Sequence, residues 1–153
     1  MKLSQKRGFT LIELIVTVMV ISILVGLAVP LARNSIRREK EFALRASLRD
    51  IRTAIDKYKS ASDQGLIMVK IDTEGYPETL QVLVDGVQVV GQIDKKLKFL
   101  RRIPIDPMTN TTEWGQRSYQ DDPKDSSWGG QNVFDVFTKS EGTGLDGTKY
   151  KEW

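Results

Sequence analysis

The chain has 153 residues, 23 of them Lys or Arg and 20 Asp or Glu, for a formal net charge of +3. Three of the positive charges, Lys2, Lys6 and Arg7, sit ahead of Gly8 and leave the rest balanced at 20 against 20, so the basic pI gives no argument for a nucleic-acid partner and none is expected. The absence of cysteine rules out disulfides, and the absence of histidine rules out Ser-His-Asp and Cys-His catalysis and the usual zinc sites.

Phe9 to Ala32, FTLIELIVTVMVISILVGLAVPLA, is a run of 24 residues with one formal charge, Glu13. As a helix it measures about 36 Å, enough to cross a hydrocarbon core of about 30 Å. A secretory signal peptide has a shorter, uninterrupted apolar region of about 7–15 residues. A plain membrane anchor leaves Glu13 unexplained, since an ionised acid at the centre of a spanning helix costs about 2.5–3.5 kcal/mol on insertion scales. Gly26 and Pro30 are the weak points of the helix, because proline removes a backbone bond and clashes with the preceding turn.

Arg7-Gly8-Phe9-Thr10-Leu11-Ile12-Glu13 resembles the processing signature of type IV pilins and the related pseudopilins. The resemblance implies a leader over residues 1–8, cleavage after Gly8 by a prepilin peptidase and N-methylation of Phe9. It also places the family's acidic residue on Glu13 and its helix-interrupting proline on Pro30. The chemistry is coherent in its own right. Cleavage leaves an amine at the end of an apolar helix, and Glu13 of a staggered neighbour can neutralise it. Arg33, Arg37, Arg38, Lys40 and Arg45 follow the apolar run, and by the positive-inside rule they favour a cytoplasmic C-terminal side. The processing signature points the other way, to a head outside the inner membrane.

An amphipathic continuation is expected over 33–64. Leu44, Leu48, Ile51, Ile55 and Tyr58 recur at spacings of 4, 3, 4 and 3, one apolar stripe on a helix. Glu41 and Arg45 are spaced for an i,i+4 pair, and Gly65 is a reasonable stop. Such a stripe is expected to pack on the chain's own head. Residues 65–153 form that head: an extended piece over Ile67–Ile71, a short helix opening near Pro77 with Leu80, Leu83 and Val84 buried, and a strand over Val87–Val90. The basic cluster Lys95, Lys96, Lys98, Arg101 and Arg102 reads as a solvated face or an inter-subunit contact. Strands over Arg117–Gln120 and Val133–Thr138 make a hairpin through 121–131, with the Trp128 indole on the sheet.

Ile103-Pro104-Ile105-Asp106-Pro107 resembles the proline-rich "LPxDPWG" segment of major pseudopilins from type II secretion systems, with Met108 in place of the tryptophan. The resemblance also implies a calcium site in the tail loop. Its candidates here are Glu141 and Asp146, although the family's paired aspartates are not reproduced and an ordinary turn at Asp146-Gly147 is the other reading. The expected fold is α+β: a long N-terminal helix, half transmembrane (9–32) and half amphipathic, packed on a small antiparallel β head.

The resemblance implies a major pseudopilin and not an enzyme: a chain that crosses the inner membrane once, carries a periplasmic head and assembles with copies of itself. Minor pseudopilins, the prepilin peptidase and an ATPase-driven assembly platform are the further implied partners. A type IV pilin of a surface filament and a membrane-anchored periplasmic binding protein are the alternatives.

Overall fold

The computed structural model describes residues 8–92, 94–122 and 127–153, and of residues 27–32 the backbone alone. The leader up to Arg7, the Pro30 side chain and positions 123–126 of the β connection therefore lie outside the described residues. Two compact units divide the chain, residues 1–39 and 40–153. Helix α1, Leu11–Asp63, contributes to both.

In the second unit the apolar stripe of α1 does what its spacing requires. Leu44, Leu48, Ile51, Ile55 and Tyr58 are buried with Ile67, Leu80, Leu83, Trp114, Val133, Val136 and Tyr150 in one core. Each such side chain removed from water contributes about 1.5–3 kcal/mol. The helix ends in a Schellman motif. Gly65 takes the left-handed conformation (φ 67°), its N–H reaches the Ser62 carbonyl at 2.9 Å, and the Leu66 N–H reaches that of Ala61 at 2.9 Å.

The following segment is less extended than expected. Ile67 forms a single antiparallel bridge with Val89, and a 3-10 turn occupies Ile71–Thr73. The short helix α2 spans Leu80–Asp85 and begins three residues after Pro77. Pro77 is excluded from it because its carbonyl accepts the Val133 N–H at 2.7 Å, tying it to the segment that leads into the last strand. Leu80 and Leu83 are buried as anticipated, whereas Val84 is half-buried and Val82 packs against the core.

Two antiparallel ribbons complete the unit. Strand β1, Val87–Gln88, pairs with β2, Lys96–Leu97, in the register Val87↔Leu97 and Gln88↔Lys96. The basic stretch, expected as a solvated face or an inter-subunit contact, also supplies a strand: Lys96 is exposed, while Leu97 packs against the core. Strand β3, Gly115–Arg117, pairs with β4, Asp135–Phe137. The first of these lies earlier than the expected Arg117–Gln120. Gly115 opposes Phe137, and an added Cβ at Gly115 would lie 2.4 Å from the Phe137 ring. The glycine is there to admit an aromatic ring across the ladder. Beyond Arg117 the chain turns, with the Asp121 N–H on the Ser118 carbonyl at 3.1 Å.

The turn-rich parts are organised by buried polar side chains. Asp106 of the Ile-Pro-Ile-Asp-Pro segment is fully buried, accepting the Thr138 hydroxyl and, at 2.8 Å, the Met108 N–H. The Trp114 indole donates to the Pro104 carbonyl at 2.9 Å, fixing the same loop. Asn132, also buried, receives the Tyr119 N–H at 3.0 Å on its side-chain oxygen. Its carbonyl takes the Ser118 hydroxyl and the Trp128 indole N–H, so the Trp128 indole is tied to the segment leading into β4. Asp121 accepts the N–H groups of Ser118 and Gly129, which hold its carboxyl below the usual carboxylate range.

Candidate assembly site on the N-terminal helix

The start of α1 is a helix cap. The Thr10 hydroxyl accepts the Glu13 N–H at 3.3 Å, and the Thr10 carbonyl accepts the Leu14 N–H at 3.1 Å. Thr10-Leu11-Ile12-Glu13 is therefore laid out as a capping box, with Glu13 at the third helical position. The T-x-x-E spacing was present in the sequence, and the capping role of Thr10 is the part that reading overlooked. Glu13 lies in the first turn, where a negative charge suits the exposed N–H groups of the helix end. Gly8 has open space on the side where a Cβ would point, and Phe9 is 77% exposed.

Past the cap, the helix surface is apolar on every side. Each large apolar residue from Phe9 to Val25 is at least 50% exposed. An amphipathic helix would show a stripe; this segment shows a full girdle. Its two hydroxyl side chains beyond the cap turn inward on their own backbone. Thr17 donates to the Leu14 carbonyl at 2.8 Å and Ser22 to the Val18 carbonyl at 2.8 Å, the arrangement a helix in an apolar medium needs. Among the described residues no helix is long and apolar enough to cross a membrane. The expected span over 9–32 includes 27–32, whose side chains are not described.

The other predicted site residues, Glu141 and Asp146, lie in the second unit, and each faces a basic side chain. Glu141 faces Lys151 at 3.1 Å, and Asp146 faces Arg45 at 2.9 Å. The second Asp146 oxygen accepts the Thr148 hydroxyl at 2.7 Å and the Thr148 N–H at 3.0 Å. These Thr148 bonds, with Arg45 beside them, hold the Asp146 carboxyl below the usual carboxylate range. Calcium takes six to eight oxygens, and among the described residues no group of three or more His, Cys, Asp or Glu could hold a metal. The donor set does not fit calcium.

Arg52 went unnoticed in the sequence and is central here. Its guanidinium grips Asp135 at 2.7 and 3.4 Å, the Val136 carbonyl at 3.2 Å and the Trp153 carbonyl at 2.8 Å. One side chain of α1 thereby holds β4 and the end of the tail together. No local pattern announces it, because all three partners lie at least 83 positions away in the chain.

A long N-terminal helix with a capped, acid-bearing start and a small antiparallel head defines a pilin-like subunit. The family model for the prokaryotic N-terminal methylation motif matches residues 3–29. The chain is 28% identical over 120 residues to the type II secretion system core protein G of Pseudomonas aeruginosa, covering 74% of this chain and 76% of that protein. It is 31% identical over 116 residues to the protein of the same name from Escherichia coli, covering 69% of each. No solved structure gives a significant match. The chain belongs to the family of type II secretion system core protein G.

Proposed function

We infer that this chain is the major structural subunit of a type II secretion pseudopilus, a filament that its N-terminal helix builds by packing beside copies of itself. The observation that carries the reading is the apolar girdle from Phe9 to Val25, capped by Thr10 and carrying one acid, Glu13. An apolar surface on all sides must be covered, first by lipid and then by neighbouring helices. Cleavage after Gly8 and methylation of Phe9 place an amine within a turn or so of that acid. Glu13 of one copy then neutralises the Phe9 amine of the next and fixes the stagger between them. Before assembly the helix is held in the inner membrane with the head in the periplasm. A prepilin peptidase, minor pseudopilins and an ATPase-driven inner-membrane platform act on it, and the filament helps move folded proteins through the outer-membrane channel.

Substituting Glu13→Gln, Ala and Val in cells that secrete through the system tests this reading. Membrane insertion should persist in all three, while filament formation and secretion fall sharply. Filaments as abundant as the wild type in all three variants would refute the role given to Glu13. Mass spectrometry of the mature chain should find an N-terminal methylated Phe9, and a mature chain starting at Met1 would refute the processing step.

A further inference from the structure

The two acids of the tail loop that a cation could use each face a basic side chain already, Lys151 at Glu141 and Arg45 at Asp146. We propose that Arg45 serves this head in place of a divalent metal, closing the 140–153 segment onto α1 so that the segment folds and stays folded without calcium. Arg45 makes two contacts at once: its Nη2 meets Asp146 at 2.9 Å, and its guanidinium lies 4.0 Å from the centre of the Trp153 ring. Both partners are fixed independently. The Trp153 indole N–H donates to the Thr148 hydroxyl, its ring meets Tyr150 edge-on at 5.0 Å, and its carbonyl is held by Arg52.

One turn of α1 earlier, Glu41 accepts the Leu145 N–H and the Tyr150 hydroxyl, each at 2.9 Å. Within the loop, Thr143 bridges Lys149, and the Gly144 N–H reaches the Thr148 carbonyl at 2.7 Å. Gly144 must stay a glycine, since a Cβ there would come within 2.6 Å of the Trp153 ring. Asp146, Glu141 and Glu41 are thus matched to an arginine, a lysine and the loop's own N–H and hydroxyl donors. A planar guanidinium suits the place because it can pair with a carboxylate and stack on an indole together, which an ammonium does poorly.

The proposal is independent of how the N-terminal helix assembles, so its failure and that of the assembly reading are separable. The test is thermal unfolding of the full chain in detergent micelles, followed by tryptophan fluorescence, in EDTA and in millimolar calcium. The wild type should melt at the same temperature in both. Arg45→Ala should lower the melting temperature by about 2–4 °C in both buffers, and Arg45→Lys should recover only part of that loss. A calcium-dependent rise in the wild-type melting temperature that Asp146→Asn removes would overturn the proposal, and so would an Arg45→Ala chain that melts with the wild type. Calorimetric titration of the wild type with calcium needs no variant: no heat of binding supports the proposal, and saturable binding refutes it.

Discussion

From Leu11 to Val25 each large apolar side chain of α1 is at least half exposed, whereas Leu44, Leu48, Ile51, Ile55 and Tyr58 of the same helix are buried. Both stretches are helical, so the contrast is one of angular distribution. In the second, the apolar residues share a face and the other face carries charges such as Arg49, Asp50 and Lys57. That half is completed by its own chain. In the first, the apolar residues surround the axis and nothing among the described residues of its own unit covers them. One helix thus carries two addresses, an internal one written as a stripe and an external one written as a girdle.

The sharpest way to break this comparison is a matched truncation. Leu48→Ala should destabilise the 40–153 unit by about 2–5 kcal/mol, the cost of an apolar cavity. Ile15→Ala, on the exposed half, should leave its unfolding within about 0.5 kcal/mol of wild type. Equal losses by chemical denaturation would show that the two halves are not independently completed. Next in size, Asp106→Ala should cost about 1–3 kcal/mol, because it strands the Met108 N–H and the Thr138 hydroxyl. Faster hydrogen exchange confined to the 104–111 loop and β4 would report that loss, and unchanged exchange would remove Asp106 from its organising role.

Thr10→Ala is expected to cost about 0.5–2 kcal/mol at the start of α1 and nothing in the head. Exchange at residues 11–14 should quicken while the melting temperature of the head stays put. The smallest effect is set by acid. Asp121 and Asp146 both have folded pKa values lowered from 3.8, so their contribution is full above the unfolded value and is lost as pH falls through the folded ones. Stability should be flat near neutrality and decline below about pH 4. Asp146→Asn should flatten that decline, and an unchanged acid limb would show the carboxylate to be inert.

What could be read from the sequence depended on range. The stripe from Leu44 to Tyr58, the stop at Gly65 and the girdle around Glu13 are periodic or local signals, and each was legible. The strands were legible only roughly. Gly115 looks like an interruption until Phe137 is placed opposite it, and Lys96 looks like solvent-facing charge until Leu97 beside it turns to the core. A charged residue on a short edge strand is a common guard against stray pairing. The contacts of Arg52, of Arg45 and of Asp106 with Thr138 were illegible, since each joins positions at least 32 apart and leaves no periodic trace. In the tail loop the acids Glu141 and Asp146 are visible in the sequence, whereas the arginine that pairs with Asp146 lies 101 positions earlier.

Thr17 and Ser22 have a consequence for movement. Both hydroxyls are satisfied by carbonyls of their own helix, so neither is left in need of a partner on a neighbouring rod. On the proposed reading, adjacent rods slide as on a greased rail, and the ionic latch at Glu13 acts as the detent that halts them.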